Sequence, residues 1–341
     1  MKFAKWYQSD RHCPGAIRGE NLAREVNRER NDWRIDCKME IPISDFYGTD
    51  LMIFQRQVHP LNLEKLKAAQ RQGIKCVYDL DDDILQIPPD FVEPYNFYSK
   101  PEVRGQVVSF LRTVDAITVS TYTLALSIKN IVGDNKPIFV VPNFIDMDKW
   151  DTTHAIKQTE RKNRIVLGWM ASKSHKIDVA VISAALERIM AEYENVDLSL
   201  IGWIDNSDLP WAKKYNGRVK MSEWVDISML PLAMKDFDIG LAPLADNPFN
   251  AAKSNLKWQQ YAALGIPCVA SPMAPYENIM DGKDGVLVSG DDWYGALVGL
   301  LNDKGKRHLM GAEARRSVLA EWDLRKNAGK WIEIFNKIAG E

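Results

Sequence analysis

Short apolar runs rich in β-branched residues alternate along this chain with longer stretches of helical period, and the series runs twice. Repeated β-α-β units require this alternation. A parallel strand buried on both faces must be apolar throughout, and its crossover helix must be amphipathic. In the first half, the runs at 1–6, 34–39, 50–55, 74–78, 116–120 and 138–141 read as strands, with amphipathic helices at 20–30 and 63–72 between them. Gly73, directly after the second helix, reads as the residue that ends it. The stretch 144–163 is polar and aperiodic, as an interdomain connection is. Beyond it a second series opens, with strands at 164–169, 197–201, 219–221, 239–242, 267–270 and 285–288 and helices at 177–193, 254–264 and 291–301. The last pattern, 306–337, reads as two helices broken near Trp322.

The predicted organisation is therefore an N-terminal domain over 1–145, a linker over 146–163, a second domain over 164–321, and a C-terminal helix over 322–341 that packs back toward the first domain. A chain of 341 residues with 46% apolar side chains is long enough to fill two cores. The predicted fold class is α/β: two Rossmann-like, doubly wound parallel-sheet domains facing a central cleft. Ligands of such sheets sit beyond the carboxyl ends of the strands, so the loops there are the ones to search.

With 44 basic and 46 acidic residues, no global field draws the protein to nucleic acid or an anionic membrane. Cys13, Cys37, Cys76 and Cys268 stand too far apart for a zinc site or a disulfide scaffold, which predicts reduced thiols and a cytoplasmic location. No stretch approaches the ~20 apolar residues of a membrane-spanning helix, and the N-terminus lacks the apolar core of a signal peptide. There is no Walker loop, no Ser/His/Asp set and no metal-binding His/Cys spacing. His12 and His59 follow strands but read as structural. Trp203, Trp211 and Trp224 fall on polar segments, where aromatic faces can meet sugars.

The segment 247–271 is the richest in chemistry. Its polar loop opens a helix that ends at Gly265, and Pro267 starts the next buried strand, so the loop and helix N-terminus project into the cleft. Backbone N–H groups there, with Lys253, Ser254 and Asn255, make a cradle for a diphosphate. An ordinary helix capped by Ser254, with Lys253 in solvent, is the other reading of the same residues. In the first domain, Asp79, Asp81, Asp82 and Asp83 follow a strand, and four carboxylates so close should raise at least one pKa. A magnesium or calcium site and a solvated acidic turn are the alternatives. The loop from Gly15 to Gly19 reads as a close backbone approach or a tight turn, with Arg18 pointing across the cleft.

These pieces, Cys13 to Gly19, Val77 to Asp83, Asp115 to Thr121, Val141 to Asp146, Leu167 to His175 and Lys253 to Ser271, occur in the order and spacing of a known family. Over nearly its whole length the chain resembles the retaining GT-B glycosyltransferases (group 1, family 4-like), especially their small bacterial and phage members. The resemblance implies transfer of a sugar with retention from a nucleotide-sugar donor, a UDP-sugar ahead of a GDP-sugar, to an acceptor hydroxyl, with no cofactor and no catalytic metal. It assigns acceptor orientation or proton removal to Asp79 or Asp81. It places Ser172, Lys173, His175 and Lys176 on the donor phosphates, where charge-assisted contacts stabilise the leaving nucleotide. Trp224 or Val225 falls near the base, and Gly15 and Arg18 near the donor.

The chain departs from the family at one point. Two glutamates eight positions apart are usual before the Gly-x-Pro turn. Here the ribose position holds Gln260 and the sugar position Ala252, so Asp246 or Asn250 is left to take the sugar contact. The acceptor is open: a glycan, a lipid, a protein or, as in phage enzymes, a hydroxylated DNA base. Residues 1–75 hold 14 basic and 10 acidic residues, with Arg18, Arg24, Arg28, Arg30 and Arg34 grouped. DNA phosphates are one partner for these arginines, and Glu20, Glu25 and Glu29 at helical spacing are the other. A binding protein that kept the fold and lost catalysis is a further alternative.

Overall fold

The computed structural model describes every residue except 11–13, 30–31, 156–163, 172–174, 203–206, 216, 289–290 and 341, and leaves the side chains of 152–155 and 176 undescribed. The first half forms a parallel sheet from β1 (Lys2–Tyr7), β2 (Trp33–Lys38), β3 (Leu51–Gln55), β4 (Lys75–Leu80), β5 (Ala116–Val119) and β6 (Ile138–Val140), in the order β2-β1-β3-β4-β5-β6. Its connections are α1 (Asn21–Arg28), α2 (Pro60–Arg71), α3 (Val92–Tyr98), α4 (Pro101–Thr113) and α5 (Tyr122–Val132). α6 (Met147–Ala155) follows β6.

The second sheet comprises β7 (Ile165–Ala171), β8 (Val196–Gly202), β9 (Val219–Ser222), β10 (Ile239–Ala242), β11 (Cys268–Ala270) and β12 (Val286–Leu287), in the order β12-β11-β10-β7-β8-β9. α7 (Lys176–Glu192), α8 (Leu230–Met234), α9 (Pro248–Ala251), α10 (Leu256–Ala263), α11 (Trp293–Leu301), α12 (Lys304–Ser317) and α13 (Leu324–Ala339) complete the chain.

Both sheets have the periodicity read from the sequence. All five residues of β3 are buried, as both-face burial demands. Gly73 takes φ 81° after α2, and Gly265 takes φ 66° between α10 and β11, a left-handed conformation in which a side chain would be strained. α12 and α13 are separated by a wide helical turn at Val318–Trp322. Leu324, Ala328, Trp331 and Phe335 of α13 join Ala4, Trp6, Trp33 and Ile53 in one apolar cluster.

Two local expectations change. The supposedly irregular connection begins with α6, whose Met147 and Trp150 are buried against the second half of the chain. The Gly15–Gly19 loop is instead a wide helical turn, Gly15–Glu20, continuous with α1. Gly15 is needed for packing: a Cβ there would lie 2.1 Å from the Asp10 carbonyl oxygen.

Each sheet reverses direction once. In the first, β1 has β2 on one side and β3 on the other; in the second, β7 lies between β10 and β8. Crevices at such reversals hold the ligands of doubly wound sheets. The two sets of carboxyl-end loops meet. The Thr121 hydroxyl, after β5, donates to the Ala252 carbonyl at 2.8 Å, and Phe91, after β4, meets Phe249 edge to face at 5.4 Å.

Candidate functional site

At the first reversal the expected cleft residues are consumed by the protein itself. Asp79 is fully buried and accepts two bonds from Arg18, Nε to Oδ2 at 3.0 Å and Nη2 to Oδ1 at 2.7 Å. Thr118 Oγ1 at 2.6 Å and Gln55 Nε2 at 3.2 Å complete its shell. Arg18, also buried, spends Nη1 on the Val141 carbonyl and Asn143 Oδ1 and stacks over Trp331 at 4.9 Å. Arg18 therefore does not cross the cleft, and Asp79, with its lone pairs occupied, is not placed as a proton acceptor.

The carboxylates nearer the cleft differ. Arg56, which the sequence reading missed, follows β3 with φ 48°, a strained conformation for a residue with a Cβ. Its Nε lies 2.6 Å from Asp81 and its Nη2 2.7 Å from Asp82. Burial pushes the Asp81 pKa up to about 6 against the pull of Arg56. Burial also raises Asp82, but Arg56 and Lys253 outweigh it and hold that carboxyl below its ordinary range. Asp83 turns inward, bonded by Ser127 and the Leu85 N–H. The acidic run thus contains one carboxylate at neutral-range acidity, beside a cation that keeps it usable. Among the described residues, no group of three or more His, Cys, Asp or Glu is arranged to hold a metal ion.

At the second reversal, β7 leads to α7 and β10 leads to α9 and α10. Neither α7 nor α10 has a side-chain cap, whereas α9, α11 and α12 are capped by Asn247, Asp292 and Asp303. Uncapped helix N-termini leave N–H donors for an anion. Lys253 stands beside α10 with its ammonium 4.8 Å from the Phe249 ring, and it makes no ion pair among the described residues.

Ser254 does not cap α10; its hydroxyl accepts from Asn143 Nδ2 at 3.0 Å. The Asn143 carbonyl accepts from Gln259 at 2.8 Å, so Asn143 ties the Arg18–Asp79 pair to the loop before α10. The Asn255 side chain faces inward, donating to Asn278 at 2.9 Å and accepting from Gln259 at 2.7 Å, so only its backbone remains for a donor.

His175 is buried and its Nδ1 lies 2.6 Å from Asp178 Oδ2. Burial, then Lys253 and Lys257, push its pKa down to about 3, so it is a neutral imidazole and not the cationic phosphate partner expected. Asp178, also missed, is fully buried; its Oδ1 accepts from the Ala245 N–H at 2.7 Å and Asn250 Nδ2 at 2.8 Å. One carboxylate thereby holds the loop after β10 to the start of α7. An acid in a first helical turn is an ordinary sequence feature, and only the fold shows what this one grips.

Other expected donor residues fall in several places. Ser172 and Lys173 lie outside the described residues, as does the Lys176 side chain. Trp224, 37% exposed, and half-buried Val225 sit on the loop after β9. Asp246 is exposed on the loop after β10. Gln260 is 2% exposed and lines a cavity of about 20 Å³ with Ile17, Asn21 and Asp146, too narrow for a ribose in this arrangement of the sheets. Ala252 is 1% exposed and packs in the first sheet's apolar cluster, where a glutamate would bury an unpaired charge.

Arg24 and Arg28 pair with Asp146 and Asp148, binding α1 to α6, and Arg28 also pairs with Glu25. These arginines are thus spent largely on carboxylates that the sequence reading had not considered. Arg30 lies outside the described residues.

Two facing parallel sheets with a cradle at the second reversal define the GT-B class. The chain resembles solved structures over almost its full length. HepE from Anabaena, in complex with UDP and glucose, matches with TM-score 0.68 at 16% identity, covering 98% of this chain and 99% of that one. Sucrose-phosphate synthase from Thermosynechococcus elongatus matches with TM-score 0.70 at 12% identity, covering 99% of each. At such identities the likeness establishes the fold.

Residues 162–303, less than half of the chain, match the family described as Glycosyl transferases group 1. A phosphatidyl-myo-inositol mannosyltransferase from Mycolicibacterium smegmatis is 25% identical over 206 residues, 59% of this chain. The match spans about half, 52%, of that relative's length. No described helix is long and apolar enough to cross a membrane.

Proposed function

We propose that the protein transfers a sugar from a UDP-sugar to an acceptor hydroxyl, with retention, in the cleft between the sheets. The observation that carries this reading is the second reversal, where the N-termini of α7 and α10 have no side-chain cap and the Lys253 ammonium makes no ion pair among the described residues. That arrangement suits a diphosphate, whose charge grows as the bond to the sugar breaks. The choice of UDP is supported by HepE, solved with UDP and glucose. Across the cleft, Asp81, ionised above a pH of about 6, orients the acceptor hydroxyl or takes its proton. The acceptor is a glycan, lipid or protein. The ion pairs that Arg24 and Arg28 make with Asp146 and Asp148 weigh against DNA as the acceptor.

The test is release of UDP from a panel of UDP-sugars, with NMR of the early product for anomeric configuration. Turnover that falls on Lys253→Ala and Asp81→Asn is expected. A protein that binds no nucleotide would overturn the reading, and an inverted product would overturn retention.

A further inference from the structure

The cradle contains two acceptors that phosphate does not explain. Asn250 is fully buried, and its Nδ2 donates to Asp178 Oδ1 at 2.8 Å and to the Ala245 carbonyl at 2.9 Å. Both partners are acceptors, which fixes the orientation of the amide, since the flipped form would set oxygen against oxygen. Oδ1 consequently points the other way, and it has no hydrogen-bond partner among the described residues. A buried carbonyl oxygen left without a donor costs stability, so its retention at a ligand crevice implies a donor from outside the protein.

The second acceptor is His175. Asp178 takes its Nδ1 at 2.6 Å, and the carboxyl of Asp178 lies below its ordinary pKa despite burial because of His175 and the Ala245 N–H. An ionised carboxylate requires Nδ1 to carry the proton, which leaves Nε2 of the neutral ring as a bare lone pair. Nε2 bonds to no described residue.

We propose that Asp178 is a positioning residue that presents Asn250 Oδ1 and His175 Nε2 as a pair of neutral acceptors for hydroxyl groups of the donor sugar. The assignment rests on the UDP-sugar reading above and names the side chains that read the sugar. Ala252 nearby offers no such acceptor, since it packs a methyl against the first sheet. The chemistry separates the two halves of the donor. Ionised phosphate oxygens offer no proton to Oδ1 or Nε2 and go to Lys253 and the helix N–H groups; hydroxyls offer one.

The experiment compares UDP with UDP-glucose, UDP-galactose and UDP-N-acetylglucosamine by calorimetry. Asn250→Ala and Asp178→Asn should each weaken the preferred UDP-sugar about tenfold while changing UDP less than twofold, and the loss should reappear in KM for the donor. His175→Gln, which keeps a neutral acceptor, should retain more sugar affinity than His175→Leu. Equal weakening of UDP and UDP-sugar would assign Asp178 to loop integrity alone, and unchanged sugar affinity in Asn250→Ala would overturn the assignment while the donor reading stood. Wild-type protein that binds none of the four ligands would overturn both. If Asp178→Asn does not fold, Asn250→Ala decides the matter, since it removes the orphan oxygen and spares the carboxylate.

Discussion

The two sheet reversals have the same topology and opposite chemistry. At the first, charge is matched to charge: Arg18 closes on Asp79, and Arg56 lies between Asp81 and Asp82. At the second, the one fully buried carboxylate, Asp178, is spent on neutral groups and an amide, while Lys253 stands without an ion pair among the described residues. The same architecture thus yields one crevice that is largely self-satisfied and one whose unspent groups carry the proposal of a donor site. A doubly wound fold specifies where a site lies, and the unspent donors and acceptors there specify what it takes.

The largest effect should come from breaking the self-satisfied side. Asp79→Ala leaves the Arg18 guanidinium buried beside Trp331, at a cost of about 3–5 kcal/mol in chemical denaturation. The double variant Arg18→Met with Asp79→Leu should recover part of that loss. Full stability in Asp79→Ala would show that the pair is not what closes this crevice.

Next comes the open side. Lys253→Ala should weaken UDP by roughly 10–100-fold in calorimetry with little change in folding, because the ammonium has no ion pair among the described residues.

The pH response separates the two regions. Asp81 must ionise through a pKa of about 6, so kcat/KM should fall about tenfold per unit below that pH and lose this limb in Asp81→Asn. Stability follows His175 instead. Its folded pKa of about 3 lies below the ordinary 6.5, so the unfolded chain takes a proton that the native state refuses. The contribution is full above 6.5 and is lost, by about 1.4 kcal/mol per unit, as pH falls toward 3. His175→Gln should flatten that slope without moving the activity limb.

The smallest effect belongs to an ion pair exposed on both sides, Lys67 with Glu64: Lys67→Ala should leave the melting temperature unchanged within error, and the unmodified protein should give no mobility shift with DNA at low salt.

Most of the architecture was legible in the chain, because parallel strands buried on both faces leave continuous apolar runs that periodicity detects. The 247–271 segment was legible as well, through its polar loop, helix and Gly-x-Pro turn. What sequence could not show was which polar groups the fold spends internally. Asp79 and Arg18 stand 61 residues apart, and nothing local predicts that they meet. Arg56 left a trace, since it directly follows an apolar strand that ends at Gln55, yet its pairing with Asp81 and Asp82 depends on the register of β3 against β4. The α6 helix was hidden because its apolar face, Met147 and Trp150, is too short to set a period.

The most direct test of the central claim is a crystal structure of the protein with UDP bound. The account predicts the diphosphate at the N-termini of α7 and α10, against Lys253, with Asn250 Oδ1 and His175 Nε2 facing the place where the sugar would begin. A diphosphate bound at Arg56 or elsewhere, with that crevice empty, would contradict it.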